Sequence, residues 1–351
     1  ESSDWSSDVC SSDLFAAQIG DGHTTAKGHP EVDKLLGDAP PPFEVMELEG
    51  QPVVVRINLP AAVPGLKVGD VVEAVDGVLM SERVQALANI VSASTEAHRR
   101  YRLQRYALSG PDGSEMVLRV RDANGTRQIK GRRDKLGLVQ AMAGGREYEV
   151  LPGNIGYVDM SRLLPENIEA MEAAMEGTSG LVVDLRGYPK TPSWPISMWL
   201  NQKGAQVMAL FERNLVGAEG VQRMKFEQRS SPPPGAKYPG RVVVLIDERA
   251  ISQSEHACLD LEAANAVTFV GSPTAGANGD ITDVTLPGGM AVTFTGHEVR
   301  HADGRQLQRV GIRPHIPVRP TIAGLRAGRD EVLERALLLF TGGARLTANQ
   351  R

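Results

Sequence analysis

RVVVLIDERAISQSEHACLDLEAA, residues 241–264, decides the fold class. Its first part, RVVVLI (241–246), is an unbroken β-branched and apolar run, which a strand needs when both faces of its sheet are covered. Its last part, continued as SQSEHACLDLEAANA (252–266), has helical character. A strand passing into a helix through the polar turn DERAIS is the unit of an α/β sheet, and such sheets hold ligands at the carboxyl ends of their strands. A serine at the start of that helix meets free backbone N–H groups and a dipole that stabilises developing negative charge. Ser252 is therefore a candidate nucleophile, with the N–H of Gln253 as an oxyanion donor. The same residues also spell Ser-x-x-Glu, Ser252 to Glu255, a capping box with no catalytic meaning. Spacing alone leaves both readings open.

The alternation continues on either side. NIGYVDM (154–160) reads as a strand, PENIEAMEAAMEGTSG (165–180) as an amphipathic helix ending at glycine, and LVVDLRG (181–187) as a second apolar strand. VTFVG (267–271) is a further strand, and GRDEVLERALLLF (328–340) is a closing helix. This βαβ rhythm predicts a mainly parallel sheet flanked by helices over 151–340. Residues 49–133 have shorter strands: GQPVVVRI (50–57), the turn-rich AAVPGLKVGDVVEAVDG (61–77), one helical stretch over 81–108, and a hairpin turning at Asn124-Gly125. Residues 15–48 read as a short helical segment that contains DGHT (21–24) and ends in DAPPPFEV.

The 351 residues predict two domains. No apolar run is long enough to span a membrane, and the first residues lack the pattern of a signal peptide. The opening ESSDWSSDVCSSDL (1–14) repeats SSD, and its DVCSSDL is one reading frame of a DNA that resembles a sequencing-adapter end. Residues 1–14 are therefore expected to be non-native. Without Glu1, Asp4, Asp8 and Asp13 the net charge of −5 becomes −1, so no acidic character remains to interpret. Cys258 is then the sole cysteine, and a small core residue is expected there.

Four blocks resemble peptidase family S41, the family of C-terminal processing proteases and the tricorn core protease. LVVDLRG (181–187) is similar to the strand leading to the oxyanion region. DERAISQSEHACLDLEAANAVTFVGSPTAGANG (247–279) resembles the nucleophile helix with its following strand and loop. LPGGMAVTFTGHEVRHADG (286–304) resembles a hairpin, and VGIRPHIPVRPT with GRDEVLERAL resembles the closing segment and terminal helix. The segment 61–77 is similar to the PDZ domain that precedes many S41 catalytic domains. The resemblance implies an α/β, ClpP/crotonase-like catalytic domain over 151–340, a PDZ-like domain over 49–133, and a short helical N-terminal segment. It implies a serine peptidase working through an acyl-enzyme on Ser252, with Gln253 and Gly187 as oxyanion donors and the PDZ-like domain capturing substrate or gating the site. It also implies a periplasmic or extracellular location. Peptide or protein substrates are the expected partners, with no nucleic acid and no membrane span; the oligomeric state is open. No cofactor or metal is implied, since no His/Cys/Asp cluster has ligand spacing.

The base departs from the family pattern. Ala277 stands where processing proteases carry lysine, Asp159 where the tricorn type carries histidine, and Gln308 where its supporting glutamate would be. Tyr188, Pro189 and Lys190 replace the usual asparagine and paired glycines. His256, one helical turn beyond Ser252, could accept the proton, as could Lys190 if desolvated or Asp159; Gln308 could only hold a base or a water. His23 in DGHT is read mainly as structural, His297, His301 and His315 as surface residues, and Ser254 as the competing nucleophile. Two rival readings follow: a catalytically inactive S41-fold peptide-binding protein, and acyl-CoA chemistry on a crotonase-like fold.

Overall fold

The computed structural model describes residues 15–28, 33–34, 36–142, 146–232, 235, 238–286 and 289–341. The expectation for residues 1–14 lies outside the described residues. Strand β1 is Thr25–Lys27. Strands β2 (Phe43–Leu48), β3 (Gln51–Ile57), β4 (Val71–Val75), β5 (Val78–Leu79), β6 (Glu115–Asp122) and β7 (Gly125–Arg132) form one antiparallel sheet, in the order β2-β3-β4-β6-β7 with β5 on β4. This sheet starts at Phe43, ahead of the expected boundary at 49, because PFEVMEL pairs with QPVVVRI as a hairpin. The single helical stretch expected over 81–108 is two helices, α1 (Met80–Leu87) and α2 (Glu96–Leu108). The β-branched and serine-rich run between them, NIVSAST, favours extended backbone, and Thr95 caps α2 by accepting the His98 N–H.

After helix α3 (Lys135–Met142) the chain builds the parallel body. It contains β8 (Tyr148–Leu151), β9 (Ile155–Asp159), α4 (Ile168–Met175), β10 (Gly180–Asp184), α5 (Trp194–Leu200), β11 (Val207–Gly217), β12 (Gly220–Arg229) and β13 (Arg241–Ile246). It continues through α6 (Gln253–Ala264), β14 (Thr268–Gly271), β15 (Ile281–Thr285), β16 (Ala291–Thr295), β17 (Glu298–His301), β18 (Ile316–Pro317), α7 (Ile322–Arg326) and α8 (Glu331–Leu337). The central sheet runs β18-β14-β13-β10-β9-β8, parallel except for the edge pair β8–β9. Alternation sends Leu181, Val183, Val242 and Val244 into a core shared with α4, α5 and α6, while Val182, Val243 and Leu245 pack under Val332 and Ala336 of α8. Each such wholly buried side chain contributes roughly 1.5–3 kcal/mol.

The hairpin expected over 286–304 is rearranged. Strand β16 pairs with β15 and β1, whereas β17 joins β11 in a separate sheet with β12. The β1–β16 pairing, Thr25 opposite Thr293, carries the N-terminal DGHT segment onto the parallel body. The two domains meet along an apolar seam of Met46, Leu48, Val53, Val71 and Ile322. Charged clamps add to it: Arg249 to Glu44 at 2.5 Å and Arg56 to Asp159 at 3.6 Å. No helix among the described residues is long and apolar enough to cross a membrane.

Candidate active site

Strand β13 ends at Ile246, and the chain turns through Asp247–Ile251 into α6. At the turn Ser252 has φ 57° and ψ −114°, a left-handed conformation that costs a non-glycine residue of order 1–3 kcal/mol. A helix-capping serine has extended backbone and bonds its side chain to the first turn; Ser252 does neither. The strained strand-to-helix turn presents its hydroxyl, which makes no hydrogen bond among the described residues, while its N–H is fixed to the Ala277 carbonyl at 2.9 Å.

Glu255 explains how the turn is held. It is wholly buried and accepts hydrogen bonds from Thr274 Oγ1 (2.5 Å), Gly276 N–H (2.7 Å) and Ala277 N–H (2.8 Å), which locks the 274–277 loop against the helix. Burial pushes its carboxyl up to about 7, against these hydrogen bonds, which favour the charged form. The sequence signal Ser-x-x-Glu thus marked a real pair, but its glutamate braces the loop behind the nucleophile. Ser254, the competing nucleophile, is fully buried and donates to the Gly187 carbonyl at 3.0 Å. That bond lays the Leu185–Tyr188 loop on the first turn of α6. The backbone N–H groups of Gln253 and Gly187 have no acceptor among the described residues, so two unpaired donors stand at this corner.

The three base candidates and Gln308 are placed as follows. The His256 ring packs on Phe211, centroids 6.2 Å apart, and makes no hydrogen bond to the Ser252 hydroxyl, although the His256 N–H donates to the Ser252 carbonyl at 2.9 Å; burial lowers its pKa. Asp159 ends β9, where it accepts from Ser161 N–H and Oγ (2.9 and 2.6 Å) and faces Arg56 and Arg162; burial and then neighbouring Asp184 raise its pKa. Lys190 is half-buried among the charges of Arg162, Asp159 and Glu147, and its pKa is lowered by desolvation first and by Arg162 second. Gln308 is spent structurally: it accepts from Val299 N–H and donates to the Asn278 and His297 carbonyls. Two histidines expected at the surface are buried, His297 and His301, the latter paired with Glu262 at 2.9 Å; His315 is exposed and stacks on Phe269. Cys258 is buried, and burial pushes its thiol up.

The DGHT segment, whose histidine was expected to be mainly structural, packs against the nucleophile turn. A Cβ on Gly22 would stand 2.7 Å from Ala277 Cβ and 3.1 Å from Ile251 Cδ1, so the DGHT backbone rests directly on the residues that flank and fix Ser252. Arg102 of α2 holds this segment by donating to the Gly22 carbonyl at 2.7 Å. His23 turns its Nδ1 to Thr295 Oγ1 at 2.8 Å, whereas its Nε2 is buried without a partner. Burial, and secondarily the charge of Arg102, lowers its pKa, so the ring is neutral near pH 7. The only hint in the sequence was a histidine flanked by turn residues; its partners come from the far end of the chain. The close approach predicts that Gly22→Ala destabilises the fold by about 1–3 kcal/mol through overpacking, as read by urea denaturation.

Comparison with known proteins places this geometry. Residues 196–318 match the model of peptidase family S41. Over that stretch the chain is similar to the S41 peptidases. Among curated proteins it is similar to one from Chlamydia pneumoniae, 33% identical over 101 residues, and to one from Chlamydia trachomatis serovar D, 24% identical over 173 residues. These alignments cover 28% and 48% of the chain but only 16% and 27% of the relatives' own lengths. Among solved structures it is similar to mature CPAF complexed with lactacystin, with a TM-score of 0.66, 15% identity, and coverage of 94% of this chain and 88% of that one. A Bacteroides fragilis protein assigned to the S41 proteases gives a TM-score of 0.52 at 15% identity, covering 93% and 88%. At these identities the likeness is one of fold, and it extends over more than nine-tenths of this chain.

Proposed function

We propose that this protein is an S41-type serine peptidase that hydrolyses peptide bonds through an acyl-enzyme on Ser252, with His23 as general base. One observation carries the reading: a neutral histidine with a buried, unpartnered Nε2, on a segment packed against the strained turn that presents Ser252. Ser252 Oγ attacks the scissile carbonyl carbon while its proton passes to His23 Nε2, and the Gln253 and Gly187 N–H groups receive the oxyanion. Collapse expels the amine, which takes the proton from His23. Water then attacks the ester, again losing a proton to His23, and the carboxyl product leaves with Ser252 restored. In this reading the body over 151–340 is ClpP/crotonase-like, the preceding sheet is PDZ-like and captures or gates peptides, and the protein works in the periplasm or outside the cell.

A fluorophosphonate probe tests it. Labelling should map to the peptide containing Ser252. The rate should fall on the acid side with a midpoint below the ordinary histidine value of about 6.5, since His23 must be neutral. Besides burial, the groups that set this midpoint are Asp21 on the same segment, which favours the imidazolium, and Arg102 on α2, which opposes it; His98, also on α2, is neutral through this range because burial lowers it to about 3. Absence of labelling in well-folded protein would favour the inactive peptide-binding reading.

A further inference from the structure

We propose that Thr295 and Asp21 are positioning residues that fix the proton of His23 on Nδ1 and so leave Nε2 free as the base. The inference rests on the reading of His23 given above, and it follows from counting hydrogens. Asp21 accepts from Thr295 Oγ1 through Oδ1 (2.7 Å), and from Thr295 N–H and Thr24 Oγ1 through Oδ2 (both 2.9 Å). Burial opposes the charge on Asp21, but these hydrogen bonds, with those from Thr295 foremost, hold its carboxyl below the usual carboxylate range. An ionised carboxylate has no hydrogen to give. The single hydroxyl hydrogen of Thr295 therefore points to Asp21, and Thr295 Oγ1 can only accept from its other neighbour. That neighbour is His23 Nδ1 at 2.8 Å, which must carry the N–H. The Nε2 atom then holds a lone pair, and no group among the described residues uses it.

The carboxylate thus acts on the imidazole through a hydroxyl, across the joint between the N-terminal segment and β16. Backbone bonds hold both ends of the relay. Asp21 N–H donates to Ser92 Oγ and Gly22 N–H to Ser94 Oγ, while Thr293 Oγ1 donates to the His23 carbonyl. A hydroxyl at 295 is required by chemistry, since valine has the shape of threonine and can pass no hydrogen bond. As the imidazole takes the serine proton, the relay stabilises the imidazolium without itself being protonated.

The test compares Thr295→Val, Thr295→Ser and Asp21→Asn with the wild type, by imidazole ¹⁵N chemical shifts and by peptide hydrolysis. The wild type and Thr295→Ser should show the Nδ1–H tautomer of His23. Thr295→Val should show loss of that tautomer and a fall in kcat of roughly 10²-fold with little change in KM, the lower end of what a positioned general base contributes. Asp21→Asn should move the acid limb of the rate profile to lower pH, because the Asp21 charge favours the imidazolium. An Nε2–H tautomer in the wild type would overturn the assignment, as would wild-type kcat and tautomer in Thr295→Val. If instead the Nδ1–H tautomer is found but His23→Ala still reacts with the fluorophosphonate at the wild-type rate, the catalytic reading of His23 fails and the proton assignment stands.

Discussion

Hydrolysis of a peptide substrate falls roughly 10⁴–10⁶-fold in Ser252→Ala, falls comparably in His23→Ala, and falls no further in the double variant. The reason is cooperative chemistry: a serine hydroxyl without a proton acceptor is a weak nucleophile, and a base without the hydroxyl has nothing to activate. Residual turnover comes from the two unpaired N–H groups at Gln253 and Gly187, which still polarise a bound carbonyl. Single-turnover kinetics on the three proteins check the prediction. Losses that multiply in the double variant would show that His23 and Ser252 act independently. His256→Gln serves as the contrast; its ring packs on Phe211, and its loss should leave kcat within an order of magnitude.

Glu255→Ala carries the largest expected effect on stability. It removes the acceptor of three buried donors, Thr274 Oγ1 and the N–H groups of Gly276 and Ala277, and opens a void under the nucleophile turn. Leaving buried donors unpaired costs about 1–3 kcal/mol each, without full additivity, so a loss of about 3–5 kcal/mol is expected in urea denaturation. The wild-type carboxyl also sets a pH dependence. Its folded pKa, about 7, lies above the unfolded value near 4.3, so the folded state binds the proton more tightly. The stabilisation this group contributes is fully present below the unfolded pKa and is lost as pH rises through 7. Glu255→Gln should flatten that decline between pH 5 and 8, and an unchanged slope would assign it to other groups.

The parallel body was legible because its strands are unbroken apolar runs and its helices end at glycine or asparagine. Ser252 was legible as the residue that opens the helix after such a run and its polar turn. The proposed base was not. His23 acquires its meaning from Thr295 and Ala277, each more than 250 positions away, and no local periodicity encodes a partnership of that span. The long β11–β12 hairpin was missed because β12 is exposed along its whole length, so its sequence shows no inward and outward alternation. The surface reading of His297 and His301 failed because turn-like neighbours outweighed the burial that β11 and α6 impose on them.

The pairing of β1 with β16 has a consequence for the order in which the molecule comes to life. Thr25 meets Thr293 across a sequence separation of 268, since the strand that receives it lies beyond the helix that Ser252 opens. Closing a loop of that length is among the slower steps a chain takes, and on the proposed reading it would bring the base to the nucleophile. Under that proposal a partly folded molecule would hold the Ser252 turn without its base, and the ability to cut would come only with this pairing.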